Sequence, residues 1–296
     1  MTQKEEHQKA LASFAKRVEK DPHVVALLVY GSLSYGKVWK RSDIDVEMIV
    51  RDGTVPQGKW YNLEEDGVEI NITQFSEVTK FKQGLQKVRS SFSQGILGKG
   101  NLMFSKDETL TEMFEQARRI GEDDVPKMFA ARIWELTNWM HKAEKWITVY
   151  NDPLYSQRFL QMAAVIIADM ELIRHKENPT RESILRARQL NPGLMHEVYT
   201  IPSTTAMTEE DIRRALKALD DYLMEHMEWW SKHILRFLSD GEVKTSSHIM
   251  NHCGEVPLPY LAEKGIIEQT TESSRLFKKS RLTVEETAYF YIKEEF

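Results

Sequence analysis

Residues 29–50, VYGSLSYGKVWKRSDIDVEMIV, decide how this chain is read. Side chains alternate along a strand, so in SDIDVEMIV the carboxylates of Asp43 and Asp45 leave one face and Ile44 and Val46 enter a core on the other. Their α-carbons are then about 6.6 to 6.8 Å apart. Two carboxylates converging to about 4 Å repel by roughly 4 kcal/mol at an effective dielectric near 20, so the pair implies a cation. Hard oxygen ligands suit magnesium or manganese. Such an ion can bridge phosphate oxygens in an in-line displacement. Glu47 shares the polar face one repeat further on, as a supporting residue.

Upstream, Val24 to Tyr30 is an almost wholly apolar run that stops at Gly31-Ser32, a buried strand feeding a turn. A glycine there lets phosphate approach the backbone, and the serine brings a hydroxyl. Gly36 adds a second flexible point, with Lys37, Lys40 and Arg41 nearby to balance phosphate charge. Downstream, Val68, Ile70 and Ile72 of VEINI share one face and leave Glu69, Asn71 and Thr73 on the other. If that strand neighbours the first, Glu69 is a third carboxylate, able to ligate the metal or accept a proton.

Around this centre the first hundred residues read as a small mixed α/β unit. An amphipathic helix over 5 to 19 ends near Asp21-Pro22. Strands are expected at 24 to 30 and 43 to 51, and a hairpin from 59–63 and 68–74 around Glu64-Glu65-Asp66-Gly67. After Gly98-Lys99-Gly100 the pattern turns helical, at about 107–119, 124–149, 155–176, 180–189 and 208–238, with stops at Asn151-Asp152-Pro153, Asn178-Pro179 and Asn191-Pro192-Gly193. The tail predicts helices at 245–252 and 257–264 and strands near 274–279 and 286–293. The expected fold class is α+β: a catalytic domain over 1–105, a helical bundle over 106–239 and a winged-helix-like module over 240–296.

The bulk properties agree with a soluble enzyme. The 296 residues are 41% hydrophobic and 29% charged, with a formal net charge of -5, which gives no whole-molecule attraction to nucleic acid or membrane. The single cysteine, Cys253, and the absence of an apolar leader predict a cytoplasmic protein. The apolar run from Phe159 to Ala168 is too short to span a bilayer and reads as a buried helix.

The pattern G-S-x-x-x-G-x-x-x-x-x-S-D-x-D, with an acidic residue in an apolar strand about two dozen positions later, resembles the nucleotidyltransferase signature of the DNA polymerase β superfamily. Within it, V-Y-G-S-L at Val29 to Leu33, S-D-I at Ser42 to Ile44 and V-E-I-N at Val68 to Asn71 are similar to the kanamycin nucleotidyltransferases. The resemblance implies that Gly31, Ser32 and Ser42 bind nucleotide phosphates and that Asp43, Asp45 and Glu69 hold Mg2+ or Mn2+. The implied donor is a nucleoside triphosphate, ATP being the first choice, and the acceptor a hydroxyl on a small molecule, protein or RNA. Those enzymes carry a glutamate base and, one helical turn on, a triphosphate-binding lysine on a second-domain helix. Matching ELTNWMHK (135–142) to that helix puts Lys142 at the lysine but Asn138 at the base, and asparagine accepts no proton from the substrate. Glu135, one turn earlier on the stripe 135, 138, 142, 145, is the substitute base.

The combination also resembles the nucleotidyltransferase-like proteins of Gram-positive bacteria that carry a C-terminal helix-turn-helix. PYLAEKGIIEQ (259–269) is similar to a recognition-helix-to-wing passage, and Arg275, Lys278, Lys279 and Arg281 cluster at a wing tip. Glu255, Glu263, Glu268, Glu272, Glu285 and Glu286 make the segment acidic, which favours packing or homodimer contact over nucleic acid. The alternative function is a non-catalytic nucleotide-sensing regulator that binds nucleic acid through this module. His248, His252 and Cys253 lack a second ligand pair for zinc, and Trp134, Trp139, Trp146, Trp229 and Trp230 read as core or domain interface.

Overall fold

The structure, a computed structural model, describes residues 2–34, 36, 38–87, 100–277, 279 and 281–292. Lys37, Lys278 and the first two residues of Gly98-Lys99-Gly100 lie outside these. The chain divides into two compact units, Met1–Ile120 and Gly121–Phe296.

The first unit opens with helix α1, Gln3–Val18. It starts where it does because Thr2 and Glu5 form a capping box, with acidic Glu5 and Glu6 in the first turn and basic Lys16 and Arg17 in the last. Ala10, Leu11, Phe14 and Ala15 form its buried stripe. Strands β1 (Val24–Tyr30), β2 (Ile44–Val50), β3 (Tyr61–Glu65), β4 (Val68–Glu77) and β5 (Asn101–Ser105) make one sheet of order β3-β4-β2-β1-β5. β2 and β4 are parallel and the other pairs antiparallel.

Strand β1 is apolar throughout because both its faces are covered. Leu27 and Val29 join Ile44, Val46, Ile70, Ile72 and the α1 stripe on one side. Ala26, Leu28 and Ile49 join Phe81 and Leu85 of α2 (Val78–Lys87), with Leu110 and Phe114 of α3 (Glu108–Ala117), on the other. A bulge in β4 leaves both Thr73 and Gln74 exposed, so that Ile72 and Phe75, three residues apart, face the same core.

The second unit pairs α4 (Val125–Thr148) with α5 (Pro153–Arg174). Helix α5 is apolar on nearly every side because most of it is buried, from Leu160 to Ile173. Among the described residues no helix is long and apolar enough to cross a membrane. Buried Glu171 accepts from Arg174 at 2.6 Å and from the Tyr222 hydroxyl at 2.5 Å. α6 (Ser183–Leu190) ends at Asn191, which caps the next helix instead of making a turn. A continuous helical run follows: α7 (Pro192–Met195), a π turn over His196–Thr200, and α8 (Ile201–Thr204).

The helix expected over 208–238 is two, α9 (Glu209–Glu225) and α10 (Met227–Phe237), broken at His226. Next come β6 (Lys244–Thr245), α11 (Ser246–Cys253), α12 (Leu258–Glu263), β7 (Glu268–Ser274) and β8 (Val284–Phe290), the strands in the order β6-β8-β7. The strand expected near 274–279 corrects to 268–274. Its sequence EQTTESS is polar and almost wholly exposed, so no apolar alternation marked it, whereas Leu276 and Phe277 stand exposed beyond its end.

Candidate functional site

The site is built where the N-terminal ends of the parallel strands β2 and β4 meet the turn that leaves β1. Asp45 is the register partner of Tyr30 on β1 and of Asn71 on β4. Ile44, Val46, Ile70 and Ile72 are buried on the α1 side, which fixes Asp45, Asn71 and Glu69 to the opposite face. Asp43, just before β2, is tied to that face by Asn71, whose Nδ2 donates to Asp43 Oδ2 at 2.6 Å.

Gly31 follows β1 with φ +81°. A Cβ there would be 3.0 Å from Asp45 Oδ2, so glycine serves both the backbone conformation and the close approach of the carboxylate. Gly36 also has positive φ, +69°, and its would-be Cβ is 3.1 Å from Lys4 Nζ. The Lys4 ammonium therefore stands at the glycine turn, a cation that the sequence pattern does not reveal because its helix lies far upstream of the loop.

Burial pushes the Tyr30 hydroxyl well above its ordinary pKa, and the charges of Asp45 and Glu47 push it further. The hydroxyl bonds Thr73 Oγ1 on β4. Burial likewise raises the Glu47 carboxyl, against the lowering effect of Ser76, which donates to Oε1 at 2.5 Å. Tyr30, Glu47 and Ser76 border an open cleft of about 640 Å³ whose far wall includes Phe81 and Leu85 of α2. That volume is in the range of small-molecule sites.

The residues expected from the sequence divide into four groups. Asp43, Asp45 and Gly31 come together, with Ser32 next in the turn. Ser42 is engaged closer to its own loop, where its hydroxyl accepts the Trp39 amide at 3.0 Å and its carbonyl meets the His7 imidazole at 2.9 Å. Glu69 shares the polar face but is exposed, opposite Glu64 of β3.

Lys142 and Glu135 belong to α4 in the second unit. Lys142 Nζ lies over the Trp139 ring, 4.5 Å from its centroid. Glu135 accepts from Arg132 at 2.9 Å, and Arg132 also holds Asp169. His252 stacks on Phe237 at 4.0 Å, and burial pushes the Cys253 thiol up to about 11. Trp230 is core, its indole donating to the Leu223 carbonyl at 3.0 Å, whereas Trp134 is exposed.

Among the described residues, no three His, Cys, Asp or Glu side chains gather as a metal-holding group. The oxygens near Asp43 still suit a hard cation, because beside the two aspartates the buried Oδ1 of Asn71 has no hydrogen-bond partner among the described residues. Two carboxylates and an amide oxygen are the donor chemistry that magnesium and manganese take.

Residues 13–109 match the family model described as Polymerase beta, Nucleotidyltransferase. The match spans the whole glycine turn, both aspartates and β4, so the first unit carries a nucleotidyltransferase domain of the polymerase β type. Among solved structures, the chain is similar to a nucleotidyltransferase-like protein from Exiguobacterium sibiricum, at 15% identity and a TM-score of 0.57. The likeness covers 99% of this chain and 100% of that one; at this identity it bears on fold alone. No curated protein matches the chain. The family match points to nucleotidyl transfer, and the mixed five-stranded sheet agrees with that fold.

Proposed function

We propose that the first unit transfers a nucleoside monophosphate from a nucleoside triphosphate, with ATP the first donor to try, to a hydroxyl acceptor, releasing pyrophosphate. The observation that carries this reading is Asp45 packed against the Gly31 turn, with Asp43 beside it, inside a domain matching the nucleotidyltransferase model. The turn from Gly31 offers backbone amides and the Ser32 hydroxyl to the phosphates. Lys4 at Gly36, and Lys40 and Arg41 further along the loop, balance their charge.

Asp43 and Asp45 would hold Mg2+ or Mn2+, which when bound neutralises phosphate charge as pyrophosphate departs. Glu69, the outer carboxylate of the same face, is available for the acceptor's proton. Lys142 is assigned to the triphosphate. Glu135 is the weaker candidate base, because its carboxylate is already engaged by Arg132. The cleft bordered by Tyr30 and Ser76 has room for an acceptor.

The test is the double variant Asp43→Asn, Asp45→Asn, assayed for metal-dependent ATP binding and for pyrophosphate release across small-molecule, protein and RNA acceptors. Loss of both supports the reading; undiminished binding and release in the pair refute it.

A second reading is favoured by the order helix, strand, helix, helix, hairpin from Met227 to Phe290, which suits a winged-helix module in a nucleotide-sensing regulator. Against it, Lys264, at the end of α12, is engaged by Asp220 at 2.7 Å. This reading requires salt-dependent nucleic-acid binding that disappears on removal of 241–296.

A further inference from the structure

His7 lies on the buried side of α1, one turn ahead of Ala10 and Leu11, and is only 7% exposed. An apolar side chain would fill that place at no polar cost, whereas a buried imidazole has to find partners. It finds two. Nδ1 is 2.7 Å from the Gln3 carbonyl, a local contact along the helix. Nε2 is 2.9 Å from the carbonyl of Ser42, a residue 35 positions away in the chain. A carbonyl oxygen only accepts, so Nε2 carries the hydrogen and donates it.

Ser42 closes a tight turn. Its amide donates to the Trp39 carbonyl at 2.9 Å, and its hydroxyl accepts from the Trp39 amide at 3.0 Å. With the His7 bond, the amide, hydroxyl and carbonyl of Ser42 are all engaged. The turn leaves Trp39, Lys40 and Arg41 exposed, and Asp43 is the next residue along. At the other end of the same loop the Lys4 ammonium stands against Gly36. Lys4 and His7 are three residues apart and so share a helix face. One side of α1 therefore braces this loop at two points.

We infer that His7 is a positioning residue for the nucleotide: its bond to the Ser42 carbonyl holds the 39–42 turn so that Lys40 and Arg41 face the phosphates and Asp43 is delivered to the start of β2. The inference rests on the reading that this loop takes the triphosphate. His7 acts through the backbone of Ser42 and needs no contact with the nucleotide itself. A loop ordered in advance spares the ligand the cost of ordering it. The task belongs to the donor rather than to the ring, so another side chain that places an N–H where Nε2 stands can perform it.

The experiment compares two variants of the full-length chain whose side chains are equally good helix formers. His7→Met fills the space and donates nothing, whereas His7→Gln puts an amide nitrogen near the position of Nε2. Two quantities are read: hydrogen exchange of the Ser42 amide against that of the Leu27 amide in β1, and calorimetric affinity for MgATP. In His7→Met the Ser42 amide is expected to exchange about tenfold faster or more, while Leu27 stays within about threefold of wild type. MgATP is expected to bind that variant about tenfold more weakly, the lower end of what losing an orienting group costs at a metal site. His7→Gln is expected to lie closer to wild type than to His7→Met on both readouts.

Wild-type MgATP affinity in His7→Met overturns the inference, whether or not the Ser42 amide is released. So does His7→Gln binding MgATP as weakly as His7→Met, which would show that the ring fills space and its donor is idle. Where His7→Met fails to fold, seen as lost protection at Leu27, His7→Asn, whose amide is too short to reach Ser42, takes its place with the same expectation. Failure of the underlying reading looks different: wild type then binds no MgATP, or binds it equally after Asp43→Asn with Asp45→Asn, and either result sinks the reading and the inference together.

Discussion

Replacing Gly31 by alanine isolates the contact on which the turn depends. At φ +81° an L-residue costs about 1–2 kcal/mol over glycine. The added Cβ would also be 3.0 Å from Asp45 Oδ2, so the carboxylate must rotate away, at about 0.5–1.5 kcal/mol for an off-rotamer side chain. The sum is about 1.5–3.5 kcal/mol. Native-state hydrogen exchange at the amides of Leu27 and Leu28 in β1, the strand that leads into the turn, reads this locally, without assuming that two units unfold together.

Repeating the substitution in an Asp45→Ala background separates the two contributions. The steric part vanishes and the conformational part stays, giving a coupling of about 0.5–1.5 kcal/mol. ATP affinity should fall in Gly31→Ala, because the displaced carboxylate and the turn amides belong to one site. Unchanged protection in Gly31→Ala would rule out a strained turn. An equal cost in both backgrounds would show that Asp45 does not press on it.

Burial raises the Glu47 carboxyl, so the folded chain holds that proton more tightly than the unfolded chain. Glu47 therefore adds stability below the ordinary glutamate range and loses it as pH climbs through the raised value. Glu47→Gln should be more stable than wild type at pH 7 to 8, with the advantage fading as pH falls below about 4, measured by urea midpoints across pH; an advantage constant with pH would exclude the assignment. In the second unit, Arg174→Met leaves the buried Glu171 carboxylate with the Tyr222 hydroxyl and, 3.5 Å away, the His175 imidazole. A loss of about 3–5 kcal/mol is expected in urea unfolding, and a loss under about 1 kcal/mol would show that Tyr222 and His175 suffice.

The elements legible in the sequence are those whose burial is one-sided or complete. α1, β1 and β2 announce themselves through a helical stripe, an unbroken apolar run and a strict alternation. α2 escaped because it begins directly at the end of β4 and its first-turn amide at Thr79 is satisfied by Asp52, 27 residues upstream, where local pattern does not reach. β5 escaped because Asn101 and Met103 are exposed and its remaining residues only half-buried, which leaves little alternation to read. The break at His226 was hidden because apolar positions recur at helical spacing on both sides of it, and only the backbone there departs, at φ -104° and ψ 7°. At the site, Asp43 and Asp45 are visible from spacing alone, two residues apart at the start of β2. Asn71 and Lys4 enter through pairings that span 28 and 32 residues, distances over which local pattern carries no information.

The parallel pairing of β2 with β4 has an evolutionary corollary. Because both strands start at the same edge, the chain makes its return through β3, paired antiparallel with β4, and the loop between Val50 and Tyr61 is the part whose length and composition are free to drift. The phase of β4 has no such latitude. A shift of a single residue would trade the amide at 71 for an isoleucine and push Glu69 and Asn71 into the apolar layer beneath, so selection on this domain should tolerate indels in that loop and forbid them within the few residues before the bulge.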